Sequence, residues 1–471
     1  MSSNPLSHFY IARIVLENET PLSIAANGSD GVFDLRLVRD ANGLPAIPAT
    51  SITGVLRSLY GEHENELFGF QNKKEGQSSL VQISWAHITD SKGNTLHGLE
   101  TDSDKIQQDK LLKLAYDTNN APVIRDRVSI SHKGVAKNTG KFDRSVLPAG
   151  FRFVCELSLW SYKANDDRWD KLIGLLKHPL FRLGGSTRSG LGKVKVVKTF
   201  SNMFDLRQST DRTGFTKLSR RLDDTTGLND TFNQLQTVES GLVTAALTLN
   251  PEGFWRIGGG NISHEKADGK EADMLAKTET RIVWDDQGKA EVQVNRKEPL
   301  LIPATSIKGA LSHRIVFHDN CLNGVWADEI GEKANELTNV LVQQLFGHAK
   351  DSDKGSGQVG NVIIDDVFLT NTDFGIQMHN CIDRFTGGVR DHMLFSEELA
   401  YKNKQPISIN MTFDRSKLTS LTPLQKQAIN KAIKDLCEGR LALGAGSNKG
   451  HGFMTGNCAW SDNGNWIGEA V

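Results

Sequence analysis

Hydrophobic segments follow one another in the same order in the two halves of the chain. Residues 9–16 are rich in β-branched and aromatic side chains with partial alternation, which predicts a strand, and residues 243–249 take the same place in the second half. The hexapeptide Ile-Pro-Ala-Thr-Ser-Ile then occurs in both halves, at residues 47–52 and 302–307. Because an identical match of this length is improbable by chance, the order indicates an internal duplication.

The hexapeptide predicts the start of a helix in each half. Proline ends an extended segment, and the Thr and Ser that follow can cap a helix beginning near Ser51 and Ser306. Gly54 and Gly309 then lie in the first turns, where glycine costs roughly 1 kcal/mol relative to alanine. Two explanations remain open for them: the close approach of another backbone or a ligand, or tight packing of the helix on a sheet.

The correspondence continues downstream through segments of the same type. After the hexapeptide come Leu-Phe-Gly, a strand-like segment, a hairpin, a strand, a helix and a glycine-rich loop. In the first half these are residues 67–69, 81–85, 123–147, 151–160, 167–177 and 183–192, and in the second half residues 345–347, 360–368, 381–398, 407–413, 423–438 and 443–452. This order predicts an α+β fold in which each half is a decorated ferredoxin-like (RRM-like) βαββαβ domain.

The length supports two domains, because 471 residues exceed what one hydrophobic core usually holds. We predict a first domain at residues 1–201 and a second at residues 241–471. A Ser/Thr/Asp-rich linker at residues 202–240 is expected to join them. The highly charged stretch at about residues 263–297 is predicted to be an insertion particular to the second domain.

Composition excludes several classes of protein. Lys plus Arg (55) nearly equals Asp plus Glu (56), which excludes a basic tail but leaves room for local basic grooves. The five cysteines are scattered and never spaced as Cys-x-x-Cys, which argues against a disulfide framework and a structural zinc site. No signal-peptide pattern and no run of about 18 apolar residues is found. We therefore expect a soluble, cytoplasmic protein.

The glycine-rich loops suggest phosphate binding. Such loops expose backbone N–H groups to an anion, and Arg188 or Lys449 adds positive charge. The helix starts offer further free N–H groups, with Arg57 one to two turns along. Neither loop has the Gly-Lys-Ser/Thr ending of a nucleotide-binding P-loop, so an ordinary loop and an ordinary helix cap remain the alternatives.

In combination, four motifs resemble the RAMP superfamily of CRISPR-associated proteins. They are the Ile-Pro-x-Thr/Ser-Ser-Ile-x-Gly helix start, the Leu-Phe-Gly, the Asp-Arg hairpin entry and the Gly-Gly-x5-Gly-x-Gly loop, and they cover nearly the whole chain once per half. More narrowly, the chain resembles the backbone subunits of type III effector complexes, with two copies fused as in subtype III-D variants.

The resemblance implies a protein that coats the guide RNA (crRNA) and contacts the complementary target RNA. Its other expected partners are a large polymerase-like subunit, a small subunit and further RAMP subunits, with no membrane. The hairpins are expected to act as thumbs that interrupt the guide–target duplex, with Phe142 and Phe385 either wedging at a flipped nucleotide or anchored in a core. The expected RNA contacts are Ser51, Thr53, Arg57, Arg125, Arg127, Gly184, Gly185, Arg188, Ser306, Lys308, Arg384, Gly444, Asn448 and Lys449.

The resemblance also implies endoribonuclease chemistry on the target RNA. It places the catalytic acid at Asp34, whose carboxylate is expected to hold a divalent cation, Mg²⁺ or Mn²⁺, that activates the neighbouring 2′-hydroxyl. From the residues alone, a loop aspartate that caps a turn is the alternative. Alignment of residues 281–288 with 36–43 puts Glu279 opposite Asp34, and Asp273 is a further candidate acid. The second site is therefore expected to be active, altered or silent.

Two rival functions stay open. The chain is either a non-catalytic crRNA-binding filament subunit, with cleavage supplied by its neighbours, or a guide-processing ribonuclease like the stand-alone RAMP endonucleases. The second rival is disfavoured because His132, His392 and His451 form no pair that recurs in both halves.

Overall fold

A computed structural model describes most of the chain. It covers residues 6–25, 36–73, 75–96, 98–131, 135–238, 240–266, 269–330, 339–348 and 357–468. No helix within these ranges is both long and apolar enough to span a bilayer.

The first half contains thirteen strands and six helices in its described residues. The strands are β1 His8–Asn18, β2 Ala46–Ile47, β3 Phe70–Gln71, β4 Gly76–Gln77, β5 Val81–Ile83, β6 Ala86–Ile88, β7 Val123–Ile124, β8 Arg127–Ile130, β9 Ala136–Phe142, β10 Ser145–Val146, β11 Arg152–Ser161, β12 Val194–Asp205 and β13 Asn229–Asp230. The helices are α1 Ala49–Tyr60, α2 Glu64–Phe68, α3 Ser103–Gln108, α4 Lys110–Asp117, α5 Asp167–Gly174 and α6 Ser209–Thr216.

The described residues of the second half contain twelve strands and four helices. The strands are β14 Leu242–Pro251, β15 Arg281–Trp284, β16 Ala290–Gln293, β17 Leu300–Ile302, β18 Gly347–His348, β19 Gln358–Val359, β20 Val362–Ile364, β21 Val367–Leu369, β22 Thr372–His379, β23 Phe395–Asn403, β24 Ile407–Asp414 and β25 Met454–Trp460. The helices are α7 Ala304–Leu322, α8 Ala327–Ile330, α9 Val340–Phe346 and α10 Pro423–Cys437.

The two halves arrange their central sheets in the same order. In the first half β12, β1 and β11 lie side by side, and β5 and β6 both pair with β11. In the second half the order is β25, β14, β24, β20. Every one of these pairs is antiparallel. The first strand of each half, β1 or β14, lies between the strand that follows the hairpin, β11 or β24, and the strand that follows the glycine-rich loop, β12 or β25. The chain is therefore a mixed α/β protein whose sheet order repeats.

Strand β1 of the first central sheet packs apolar side chains on both of its faces. On β1, Tyr10 and Ile14 face the main core of the first half, whereas Phe9 and Ile11 face a smaller cluster on the opposite side. That second cluster is completed by Phe215 of α6, whose ring lies 5.0 Å from the ring of Phe9. Part of the segment predicted to be a linker therefore covers the outer face of the first sheet.

The outer face of the second sheet has no such cover along β14. Val243, Leu247 and Leu249 face the core of the second half, while Thr248 and Asn250 on the opposite face of β14 are exposed. This regular alternation is typical of a sheet with one face towards solvent.

The helices that follow the hexapeptides bury residues at a spacing of four. Ile52 and Leu56 of α1, and Ile307, Leu311 and Ile315 of α7, point into the cores of their respective halves. Burial of each such side chain contributes about 1.5–3 kcal/mol relative to leaving it exposed.

The predicted Ser and Thr caps of these helices are wrong. The helices begin at Ala49 and Ala304, so Pro48 and Pro303 are the N-cap residues and neither helix has a side-chain cap of its own. Proline at this position fixes the extended backbone and leaves Ser51 and Ser306 within the first turn of the helix, where they do not act as caps. In α7 the first free N–H, of Ala304, donates instead to Oδ1 of Asp366, at 2.8 Å.

The highly charged segment at residues 263–297 of the second half packs against the first half. Its hairpin β15–β16 contributes Ile282, 2% exposed, to the first-half core, with Trp284 packed beside it. The backbone N–H of Ile282 donates to the carbonyl of Ala149 at 2.9 Å, and the indole N–H of Trp284 donates to the carbonyl of Gly150 at 2.7 Å. The two halves are thus joined by buried apolar contacts and backbone hydrogen bonds.

Candidate nucleic-acid interface

The two glycine-rich loops have the same backbone shape. Each contains a short 3₁₀ turn, at Thr187–Ser189 and Ser447–Lys449, ended by a glycine in the left-handed region. Gly184 and Gly444 also have positive φ, and a Cβ at either would collide with a neighbouring backbone carbonyl. These two glycines, predicted as RNA contacts, are therefore required by the loop geometry itself.

The first loop lies where the two halves meet, a region that we call the seam. Gly190, which ends its 3₁₀ turn, forms a parallel bridge with Asp365 and has φ of 96°. A Cβ at Gly190 would collide with the Asp366 carboxylate and lie 2.7 Å from Cβ of Ala304. The start of α7 in the second half is therefore part of the surroundings of the first loop.

The first loop keeps an uncompensated cation. The Arg188 side chain is partly buried, and no carboxylate of the described ranges lies within salt-bridge distance of it. Burial, and secondarily the neighbouring Arg182 guanidinium, lowers the pKa of Arg188. An arginine in such surroundings is stabilised by an anion, which agrees with its prediction as an RNA contact.

The second loop has its cation compensated. Nζ of Lys449 lies 3.1 Å from Oε1 of Glu397, whose other oxygen accepts from Nη2 of Arg256 at 3.0 Å. Nε2 of His379 also lies 2.6 Å from Oε1 of this carboxylate. Burial opposes ionisation of Glu397, but hydrogen bonds from Lys449 and Arg256 outweigh it and hold the pKa of Glu397 below its usual range. Asn448, on the same turn, is exposed.

The surface above the two helix starts is open. A Cβ at Gly54 or Gly309 would meet no described atom within 4 Å, so tight helix-on-sheet packing does not explain either glycine. Ser51, Thr53 and Ser306 are partly exposed in the same turns. These positions admit a ligand backbone next to the helix.

The two basic residues of these helices have partners inside the protein. In α1, Nη2 of Arg57 donates to Oδ1 of Asn65 at 2.6 Å, and its Nε lies 3.3 Å from Oε1 of Glu64. In α7, Nζ of Lys308 donates to the carbonyl of Phe346 at 2.9 Å. Burial, and secondarily the charge of Arg127, lowers the pKa of Lys308.

Arg125 is the centre of a buried charge cluster that crosses the seam. Its Nη2 donates to Oε1 of Glu279 at 2.8 Å and lies 3.0 Å from Oδ2 of Asp366, and its Nε binds the second oxygen of Glu279. The two carboxylates raise the pKa of Arg125 against the opposing effect of burial, while burial raises the pKa of Asp366 to about 6. We call Arg125, Glu279 and Asp366 the seam triad.

The seam triad contains two residues predicted to act on RNA: Arg125 as an RNA contact and Glu279 as a candidate catalytic acid. Glu279 is 4% exposed and Arg125 is 7% exposed, and both are engaged with each other. The geometry therefore favours a structural role for this pair over contact with RNA or a scissile phosphate. Arg127, two residues on, is partly exposed and has no partner carboxylate within the described ranges.

The other predicted acids are placed as follows. Asp273 joins the insertion to β23, because its Oδ2 accepts from the backbone N–H of Ser396 at 2.7 Å and from the Ser396 hydroxyl at 2.9 Å. These hydrogen bonds lower the pKa of Asp273. Asp34 and His132 lie outside the described residues. Among the described residues, no three or more His, Cys, Asp or Glu side chains are grouped so that they could hold a metal ion.

The hairpins expose apolar and basic side chains. Phe142, at the end of β9, is 54% exposed, and Phe385, in the loop between β22 and β23, is completely exposed. A buried anchor, the alternative considered for both, is therefore wrong for these two rings. Arg384 is exposed beside Phe385, and His392 is exposed in the same loop with φ of 61°.

Comparison with protein families agrees with the repeated architecture. The family model of the RAMP superfamily matches residues 15–195 and, a second time, residues 250–455. The chain belongs to the RAMP superfamily. Membership implies a CRISPR-associated protein that binds RNA and works in an effector complex with other subunits. A search of curated proteins found no match.

Several residues of the candidate nucleic-acid interface are not apparent from the sequence. Asp366 and Glu397 determine which basic side chains stay free, yet no local motif marks them. Arg144 and Lys277 line the seam, and they also lie outside the duplicated motifs. Their unpaired charges become apparent only when the two halves are placed together.

Proposed function

We propose that this RAMP protein is a backbone subunit of a type III CRISPR effector complex that binds crRNA and cleaves the paired target RNA. Each half is proposed to be a ferredoxin-like domain. A ferredoxin-like sheet places its four strands in the order 4-1-3-2. The supporting observation is that this order is found in both sheets, as β12, β1, β11 and β5 or β6 in the first half and as β25, β14, β24 and β20 in the second. The fusion of two copies is proposed to resemble the subtype III-D variants.

The observation that carries the RNA-binding proposal is the open surface above two equivalent helix starts. Gly54 and Gly309 leave room for a ribose-phosphate backbone beside each helix. In the first half, Arg188, which has no carboxylate partner among the described residues, adds positive charge on a partly exposed loop. A guide whose sequence is read by base pairing needs only such backbone and shape contacts from the protein.

The hairpins are proposed to be the thumbs that interrupt the guide–target duplex. Exposed aromatic rings can stack on a base whatever its identity, which suits Phe142 and Phe385. The remaining partners proposed are the large polymerase-like subunit, the small subunit and further RAMP subunits.

The cleavage proposal rests on Asp34. A carboxylate oxygen is the ligand type that Mg²⁺ or Mn²⁺ prefers, and such an ion, when bound, would neutralise charge on the scissile phosphate and favour attack by the 2′-hydroxyl. Because the seam triad occupies Glu279, we propose that any chemistry in the second half does not use that carboxylate. The alternative function is a non-catalytic filament subunit, with cleavage supplied by neighbouring subunits.

A cleavage ladder separates these two functions. The complex is assembled with wild-type protein, Asp34→Ala, Glu279→Gln or the control Asp117→Ala, whose side chain is exposed at the end of α4. A labelled RNA complementary to the guide is then added, with and without chelator. We expect Asp34→Ala to lose a set of cuts while guide RNA still co-purifies, and Asp117→Ala to cut like wild type. Retention of every cut by Asp34→Ala would remove Asp34 from the mechanism and leave the filament role.

A further inference from the structure

Three basic side chains from both halves line one cleft at the seam. Arg127 begins β8, Arg144 precedes β10, and Lys277 belongs to the highly charged segment of the second half. Ser189 of the first glycine-rich loop and Thr305 of the first turn of α7 also line this cleft. The cleft therefore exists only where the two halves meet.

These three cations lack acidic partners. No carboxylate in the described parts of the chain lies within salt-bridge distance of Arg127, Arg144 or Lys277. Asp126 also lines the cleft, but its side chain is exposed and lies 3.8 Å from Nζ of Lys141.

The nearest buried carboxylates, those of Glu279 and Asp366, are already bound by Arg125. Glu279, Asp366 and Asp126 still act on the charge of Lys277, but from beyond ion-pair distance, so the cleft cations keep no direct acidic partner among the described residues.

Partial burial makes this arrangement costly for the protein alone. Burial lowers the pKa of Arg127, of Arg144, where the Arg127 charge adds to it, and of Lys277, where the Arg125 charge adds to it. The Arg144 guanidinium also lies against Gly185, so that a Cβ at this glycine would be 2.5 Å from Nη1. Like charges held together out of water are stabilised when an anion binds between them.

The cleft has a volume of only about 20 Å³, room for a single water, so a larger anion has to bind at its mouth. We propose that the partly exposed Arg127, Arg144 and Lys277 bind a backbone phosphate of single-stranded RNA at the mouth of this cleft, as the strand passes from the first repeat to the second. This inference rests on the proposed RNA-binding function. Guanidinium groups match a phosphate through paired hydrogen bonds, and the ammonium group of Lys277 adds a point charge. The hydroxyls of Ser189 and Thr305 are placed on the lining to donate to the remaining oxygens.

The site is specific to this fused chain in one respect. Lys277 takes the place that Val38 has in the first half, because its backbone N–H donates to the carbonyl of Ile257 as that of Val38 donates to the carbonyl of Ile24. Arg127 and Arg144 belong to the first half. A repeat taken alone would hold only part of the set. The seam therefore acts as a third RNA contact in addition to the two glycine-rich loops.

The test measures binding of the full-length protein to a fluorescein-labelled single-stranded RNA over a range of salt concentrations. Arg144→Gln and Lys277→Gln are compared with Lys431→Gln, a control on the exposed face of α10. We expect each seam variant to bind about tenfold more weakly, the loss typical of a charge-assisted hydrogen bond. For the double variant, the slope of log K against log salt should also fall by about 0.7 for the lost phosphate contact.

The outcomes distinguish this site from the general function. If wild-type protein binds RNA and the double variant keeps both its affinity and its salt slope, the seam site is refuted while the RNA-binding function stands. If wild-type protein does not bind RNA, the proposed function fails, and the seam site fails with it. If inorganic phosphate competes at or below the concentration of the RNA, with ionic strength held constant by lowering the other salt, the cleft is instead a site for free phosphate, and the RNA assignment is refuted.

A second measurement guards against loss of folding. Wild-type protein is acylated at its lysines with and without the RNA, and modification is quantified by mass spectrometry. We expect RNA to protect Lys277 and to leave Lys431 reactive. Equal acylation of Lys277 in both samples would overturn the proposal without any variant. Arg144→Lys, which keeps the charge, should bind RNA more tightly than Arg144→Gln.

Discussion

Removal of the guanidinium from the seam triad is the sharpest test of how the halves are joined. Arg125→Met leaves a side chain of similar length but takes away the only cation bound to Glu279 and Asp366 among the described residues. The side chains of the three residues are 8%, 3% and 0% exposed, so water cannot easily replace the lost partner. Two buried carboxylates would then face each other without a counter-ion.

The expected cost follows from this burial. Breaking a buried ion pair by deleting one partner typically destabilises a protein by about 3–5 kcal/mol. For a repeat of this size, each 1 kcal/mol lowers the melting temperature by about 2–4 °C, which gives a decrease of roughly 6–20 °C. Differential scanning calorimetry of the full chain measures this decrease, and limited proteolysis reports whether the seam opens.

Two further variants show whether buried charge is the cause. Arg125→Met combined with Glu279→Gln and Asp366→Asn removes the charges together, so most of the lost stability should return. Arg296→Met alters an exposed arginine in the same insertion and should leave the melting temperature unchanged. The reasoning is refuted if Arg125→Met melts like wild type. A triple variant as unstable as Arg125→Met would show that lost packing is the cause.

Three other variants probe the seam and the second loop. Because burial raises the pKa of Asp366 from 3.8 to about 6, its contribution to stability is present in acid and is lost as the pH rises. The stability of wild type relative to Asp366→Asn should therefore fall between about pH 4 and 6 in thermal melts, and a constant difference would contradict this. Gly190→Ala should cost about 1–3 kcal/mol more in urea unfolding than Gly93→Ala, because only the first forces a Cβ against Asp366 while both have positive φ. Glu397→Gln should strengthen RNA binding severalfold by freeing the charge of Lys449, and unchanged affinity would mean that Glu397 does not screen the loop.

The repeated core could be predicted from the sequence because its signals are local. The strand predicted at residues 9–16 lies within β1, and the helix predicted at residues 423–438 is α10 with one residue fewer. Apolar spacing reports directly which face of an element is buried, and the duplication supplied each signal twice. Helix starts were misplaced by two residues because Pro48 and Pro303, and not the hydroxyl side chains, are the N-cap residues.

The seam could not be predicted because its contacts join distant parts of the chain. Arg125 and Glu279 are 154 residues apart, and no periodicity links a hairpin entry to a charged insertion. For the same reason, the high charge of residues 263–297 concealed that Ile282 and Trp284 pack into the core of the first half. The carboxylates that neutralise some basic side chains and leave others free are likewise revealed only by the folded chain.

The duplication has kept the scaffold but not the distribution of charge. The cation of the second glycine-rich loop, Lys449, is held by the buried Glu397, whereas Arg188 of the first loop has no such partner within the described ranges. At the seam, Arg125 binds both nearby buried carboxylates and thereby leaves Arg144 and Lys277 unpaired. A chain whose net charge is only −1 thus holds partly buried cations without ion-pair partners among the described residues at the first loop and at the seam. Salt should therefore weaken RNA contacts at the first loop and seam more than those at the second loop, where Glu397 already binds Lys449.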